Sequence, residues 1–328
     1  MRPIRSVLAL GLALIMGATR VQAAPISFEQ LLDRAHPAPD HHIAYGADPQ
    51  QFGELWLPQG KGAHPVVVLI HGGCWQAGLP GLELMTAAAE DLRGRGLAVW
   101  NIEYRRLGHA GGGYPGTFED VARAVDKLRE LALPYRLDLA HVVLVGHSAG
   151  GHLALWSAGR PRLPKDSPLN KPAPLPVRGV VSLGGIDDLE AYRKDGPDAC
   201  GGPGTIDQLV GADTRPGAAL FADTSPAAML PLGARQLVVS GTLDGIVPVR
   251  FGRAYAAKAR AAGDTVQNLE AQGAGHFELI DPTSAAWKTI APLIVQMAQG
   301  ESPACSSVPN SVGWAPRPAT GRGLEGMP

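Results

Sequence analysis

Five short, largely apolar and β-branched runs recur along the chain, at residues 65–70, 97–102, 141–145, 177–183 and 236–240. Runs of this length without polar alternation mark strands covered on both faces, as in a parallel sheet. A further strand is read at 266–270. Two earlier stretches, 42–46 and 52–57, alternate enough to be strands and meet near Asp48-Pro49, which predicts an antiparallel hairpin at the start of the sheet. Helical patterns separate the strands. One covers 82–95. Another opens at Thr117, a good N-cap with Asp120 three residues on, and carries Phe118, Val121, Val125, Leu128 and Ala132 on one face until Pro134 ends it. Helices are also predicted after Ser148, over 249–262 up to Gly263, and over 282–298, with a short one at 28–34. Alternating strand and helix predicts an α/β fold with a mostly parallel sheet and helices on both faces. Ligands of such sheets sit at the carboxyl ends of the strands.

The edges of the chain read differently. Arg2 and Arg5 precede an apolar stretch at 7–16, and Val21-Gln22-Ala23 offers small residues for cleavage after Ala23. Residues 1–23 therefore read as a secretory signal peptide, the alternative being an uncleaved anchor. The apolar stretch is too short to predict stable membrane insertion, which takes about 20 residues. Residues 301–328 hold five prolines and four glycines with little apolar sequence, the composition of a disordered tail. A single domain remains at 24–300. Its segment 186–232, broken by Gly201-Gly202-Pro203-Gly204, Pro216-Gly217 and Pro226, is expected to lie over the sheet's carboxyl edge as a cap-like insertion.

Composition narrows the picture little. The 328 residues are 45% hydrophobic and 18% charged, with a formal net charge of −1, which supplies no basic footprint for nucleic acid. Removing 1–23 takes away three arginines and no acid, leaving 26 basic against 30 acidic side chains. An exported chain meets an oxidising compartment, where a disulfide is allowed. Cys200 and Cys305 lie in loop-like sequence and are the expected pair, leaving Cys74 over; no disulfide at all is the alternative. The cysteine spacings match no zinc or redox pattern, and no metal or organic cofactor is expected.

Chemistry gathers at the strand ends. The run 141–145 leads into Gly146-His147-Ser148-Ala149-Gly150 and then into a helical stretch, the order of a strand, sharp turn and helix that lifts a serine hydroxyl clear of the sheet edge. A serine needs a base. Two histidines follow it. His152 lies one turn along the same helix and reads as packing, whereas His276 sits in a glycine-flanked loop after the last strand and can be aimed back at Ser148. Asp244, after the preceding strand, is the acid that would hold the imidazole; Asp187, Asp188 and Asp281 are its rivals. Oxyanion donors are expected on the backbone of Gly73, Cys74 and Ala149. His71 is expected to bond within its loop and His147 to be buried and structural. Trp75, Tyr114 and Phe277 are candidate pocket walls, with core packing the alternative for each. Glu103-Tyr104-Arg105 reads as an internal polar network rather than a recognition site.

His71-Gly72-Gly73-Cys74-Trp75, Glu103-Tyr104-Arg105-Arg106, Gly112-Gly113-Tyr114-Pro115-Gly116-Thr117, Gly146-His147-Ser148-Ala149-Gly150-Gly151-His152, Asp244-Gly245-Ile246-Val247-Pro248 and Gly275-His276-Phe277 together resemble the α/β-hydrolases over residues 40–298. The branch they look most like is the HGGxW esterases, which include kynurenine-formamidase-like enzymes and bacterial esterase/deacetylases. That resemblance implies Ser148 as nucleophile, Asp244 as acid, His276 as base, and Gly73, Cys74 and Ala149 as oxyanion donors. The export signal and proline-rich tail depart from a cytosolic formamidase. The expectation is a secreted or periplasmic serine hydrolase acting on small-molecule esters with small acyl groups. The alternatives are amide chemistry, on aryl formamides or small peptides, and a non-catalytic hydrolase-like binding protein.

Overall fold

The computed structural model describes residues 24–35, 37–216 and 219–300. The signal peptide read at 1–23, the tail read at 301–328 and Cys305 lie outside the described residues. Eight strands make one sheet: β1 (His41–Ala44), β2 (Phe52–Trp56), β3 (His64–Ile70), β4 (Ala98–Ile102), β5 (Leu137–His147), β6 (Gly179–Leu183), β7 (Arg235–Gly241) and β8 (Val266–Ala271). Their order is β1-β2-β4-β3-β5-β6-β7-β8. The hairpin β1–β2 is antiparallel, as is β2 against β4. The six strands from β4 to β8 run parallel.

The parallel strands are apolar on both faces because both are covered. Val66, Val68, Ile70, Val142, Leu144, Val180 and Val238 face one core, shared with Phe118, Trp156 and Tyr255 of helices Gly116–Asp126, Ala149–Ala158 and Val249–Ala261. Their neighbours Val67, Leu69, Val143, Val145, Val181 and Val239 face the other core, against Leu92 of Thr86–Gly94 and Trp287, Ile290 and Ile294 of Ala285–Gln299. Each such fully buried side chain contributes about 1.5–3 kcal/mol. The registers Ile70 with Gly146, Gly146 with Ser182 and Leu183 with Val239 bring the carboxyl ends level, so the loops that follow meet on one edge.

Local departures from expectation have simple causes. Strand β5 begins at Leu137, and its first residues, mostly half-buried, pair only with His64 and Pro65, so they lack the apolar run of the rest. The long helix divides at Lys127, and Pro134 lies inside the second piece, Leu128–Tyr135, which Arg136 ends in the left-handed region at φ 54°. Thr117 is not the helix cap. Its hydroxyl donates to the Arg105 carbonyl at 2.5 Å and accepts the Gly113 N–H at 2.9 Å, fixing the glycine-rich loop instead.

The expected Cys200–Cys305 pairing is replaced by a disulfide between Cys74 and Cys200, whose Cα atoms lie 5.2 Å apart. The segment 186–232, built from short helices such as Leu189–Asp195 and Pro203–Leu209, folds back onto the loop after β3, and Gln76 Nε2 donates to the Cys200 carbonyl beside the bridge. A separation of 126 residues hides that approach from the sequence. Among the described residues no helix is long and apolar enough to cross a membrane, and no cluster of His, Cys, Asp and Glu could hold a metal ion.

Candidate active site

Ser148 stands between β5 and the helix Ala149–Ala158 with φ 57° and ψ −122°. Bulky backbone conformations of this sign are costly and persist only where the surroundings enforce them. Here the Ser148 N–H donates to the Leu183 carbonyl at 2.9 Å, and the flanking chain is packed closely. A Cβ on Gly146 would strike the Gly150 carbonyl, and one on Gly150 would strike the Ile70 carbonyl.

The loop after β8 brings His276 to the loop after β7. His276 Nδ1 lies 2.6 Å from Asp244 Oδ2, and both side chains are buried. Asp244 Oδ1 accepts the N–H groups of Ile246 and Val247, each at 2.8 Å. The carboxylate is thus fixed on both oxygens and is placed to accept the Nδ1–H of His276. The rival acids are engaged elsewhere. Asp187 binds Ser182, Asp188 caps Leu189–Asp195 and pairs with Lys258, and Asp281 pairs with Arg34.

Ser148 and His276 line one cavity of about 160 Å³, together with Gly73, Cys74 and His147. A wider hollow of about 360 Å³ beside Arg95 and the helix Ala285–Gln299 contains neither a nucleophile nor an acid. Gly73, Cys74 and Trp75 follow one another with φ of 91°, 50° and 57°, a curled backbone of the kind that turns successive N–H groups to one side. Ala149 is the first residue of its helix, where N–H groups have no intrahelical partner.

A buried polar network holds the loop after β3. Arg106 Nη1 donates to the carbonyls of Gln76, Leu79 and Pro80, the Leu79 bond being 2.7 Å. Glu103 accepts from His71 Nε2 at 2.9 Å and from the Tyr104 N–H at 2.8 Å, and Tyr104 OH donates to the His71 carbonyl. Burial raises the Glu103 pKa, but His71, Arg106 and the Tyr104 N–H outweigh it and bring it to about 2. The network is internal, and Arg105 belongs to a second pair with Asp120. His71 also bonds the Gly72 carbonyl within its own loop.

His147 is buried and donates through Nε2 to the His276 carbonyl at 3.1 Å; burial and the neighbouring His276 hold its pKa well below the usual value, so it stays neutral. His152 packs, as its position on the helix implies. It accepts from Trp75 Nε1 and donates to the Thr224 carbonyl, and burial lowers its pKa to about 4.

Two expected pocket walls are not walls. Trp75 is wholly buried in the core against His152, because its left-handed backbone turns the indole inward. Tyr114 points away to Asp223 at 3.1 Å, with the Arg215 guanidinium 3.8 Å over its ring. Phe277 does line the cavity. The walls the sequence did not reveal are Phe28, Leu79, Pro80, Leu84, Ala199 and Ile246. No periodicity marks them; they come from separate segments that only folding joins.

Residues 54–258 match the family model BD-FAE, well over half of the chain. The chain belongs to the BD-FAE family. The match spans Gly73, Cys74, Ser148, Ala149 and Asp244 and stops before His276, which this BD-FAE protein supplies from the loop beyond β8. Comparison with curated proteins finds no match. Solved structures resemble it at low identity. Esterase B from Lactobacillus rhamnosis, crystallised in an inhibited form, is 20% identical with a TM-score of 0.71, covering 83% of this chain and 91% of its own. A truncated carbohydrate esterase from gut microbiota is 20% identical with a TM-score of 0.65, covering 79% and 95%. Propionate-bound Est2 from Thermogutta terrifontis is 21% identical with a TM-score of 0.62, covering 79% and 93%. The BD-FAE chain has the α/β-hydrolase fold that its sheet order and strand-end loops describe.

Proposed function

We propose that this BD-FAE protein is an exported serine hydrolase that cleaves carboxylic esters with small acyl groups through an acyl-enzyme. One observation carries the reading: a histidine held at 2.6 Å by a buried aspartate opens onto the same cavity as a serine on a strained strand-to-helix turn. Ser148 Oγ attacks the ester carbonyl while His276 Nε2 takes its proton. Asp244, bonded at Nδ1, stabilises the imidazolium that forms and fixes the ring's orientation. The N–H groups of Gly73, Cys74 and Ala149 receive the tetrahedral oxyanion, a donor of this kind being worth about 2.7–4 kcal/mol. His276 returns the proton to the leaving alcohol. Water then attacks the acyl-enzyme with His276 again as base, and the acid departs.

Small acyl groups suit a cavity of about 160 Å³ with a largely apolar lining. Similar structures are esterases, one of them propionate-bound, which supports ester chemistry. The signal-like residues 1–23 and the Cys74–Cys200 bridge both suit a secreted or periplasmic site of action. The deciding experiment compares Ser148→Ala with the wild type on p-nitrophenyl acetate. Turnover is expected to fall at least a thousandfold with an unchanged circular dichroism spectrum; turnover retained within tenfold sinks the assignment. A parallel panel of aryl formamides separates ester from amide preference.

A further inference from the structure

We propose that the N-terminal arm, residues 24–34, is a wall of the acyl pocket, and that Phe28 sets the length of acyl group the site accepts. The proposal rests on the esterase reading above. The arm lies before the segment that the BD-FAE family model matches, yet Phe28 lines the cavity that holds Ser148 and His276. Its ring meets Phe277, the residue after His276, edge-on with centroids 6.3 Å apart.

The arm is fastened to the His276 loop at three points and to the core at a fourth. The Ile26 N–H donates to Glu278 Oε1 at 2.6 Å, and Glu278 Oε2 accepts the Gly275 N–H at 3.0 Å, so one carboxylate joins the two segments. Arg34 pairs with buried Asp281 at 2.7 Å. Pro25 occupies the space that a side chain on Gly275 would need. Leu31 is 3% exposed and packs into the core beneath the sheet. The helix Phe28–Leu32 is only five residues long, too short to hold itself, and is closed by a capping box between Ser27 and Gln30. Phe28 is therefore held over the cavity rather than left on a loose end.

Chemistry divides the cavity. Ser148, His147, His276 and the Gly73 backbone supply its polar lining, to which the proposed reaction assigns the ester carbonyl. Phe28, Leu79, Pro80, Leu84 and Phe277 form an apolar side that suits an alkyl chain. Leu84 is buried, and Phe277, half-buried, directly follows His276, whereas Phe28, equally half-buried, stands on a surface arm that carries no reacting group. Truncating Phe28 opens the apolar side outward; enlarging it closes that side further.

The test measures kcat/KM for p-nitrophenyl acetate, butyrate, hexanoate and octanoate with wild type, Phe28→Ala and Phe28→Trp. Each additional buried methylene is worth roughly fourfold in binding. Phe28→Ala is expected to raise the hexanoate-to-acetate ratio about tenfold, and Phe28→Trp to lower the butyrate-to-acetate ratio several-fold. Opposite shifts from two variants cannot come from a general loss of structure. Ratios unmoved in both variants overturn the role of Phe28 while leaving the esterase reading intact. A wild type that turns over no ester and takes no fluorophosphonate label on Ser148 overturns both.

Discussion

Asp187 is a residue whose cost depends on pH. It is wholly buried at the end of β6, Ser182 Oγ donates to its Oδ1 at 2.6 Å, and its Oδ2 has no partner among the described residues. Burial is the main cause that lifts its pKa to about 7; the Ser182 bond opposes this and Asp188 adds to it. The sign follows from linkage. A carboxyl raised in the fold favours folding in its neutral form. That contribution is complete below the unfolded value of about 3.9 and is lost as pH rises through about 7. Asp187→Asn keeps a neutral group of the same shape at every pH. The variant is expected to melt several degrees above wild type at pH 8, with a smaller gap at pH 5. Calorimetry that finds equal gaps at the two pH values would rule out Asp187 ionisation as the source. Ser148, by contrast, was legible at residue level because its turn needs glycine at both flanks, a pattern visible without coordinates.

Among the elements, legibility followed burial. Strands β3 to β7 are covered on both faces, so their apolar runs stand out, and Ser148 and Asp244 fall where two of those runs end, whereas His276 follows the half-exposed β8. The half-exposed start of β5 carried no such signal. The pocket was less legible still, because Phe28, Leu84 and Ile246 are separated by at least 56 residues and each reads alone as ordinary packing. Trp75 and Tyr114 misled for the converse reason: aromatic residues beside glycine-rich loops suit a pocket wall, but these two are drawn off by His152 and by Asp223. The loop that carries His276 depends on Glu278, which accepts from Gly275 and from the N-terminal arm at once. Glu278→Ala leaves both N–H groups without that acceptor. We expect kcat to fall about tenfold, ~1.4 kcal/mol of barrier, with KM within threefold. Glu278→Gln, which keeps one strong acceptor, should recover part of the loss. A fall confined to thermal stability would make Glu278 structural rather than positioning.

For the molecule as a whole, the site is assembled from both ends of the chain around the family segment. Phe28 arrives from before residue 54, His276 from after residue 258, and Ala199 of segment 186–232 lines the cavity with them. The Cys74–Cys200 disulfide ties segment 186–232 to the loop after β3, whose backbone is proposed to donate to the oxyanion, so its loss is expected to touch stability and turnover together. Cross-linking a loop of over 100 residues restricts the unfolded chain by about 4–5 kcal/mol in the chain-entropy model. For a domain of this size that corresponds to at least about 5 °C in melting temperature. Cys200→Ser is therefore expected to melt at least that much lower, and to lose kcat on p-nitrophenyl acetate because Cys74 is no longer anchored. Dithiothreitol should lower the wild-type melting temperature towards that of Cys200→Ser and leave the variant unmoved. Peptide mapping without reductant should recover a linked fragment containing Cys74 and Cys200. A linked fragment joining Cys200 to Cys305 would overturn the pairing, and a reductant-insensitive wild type would overturn its contribution to stability.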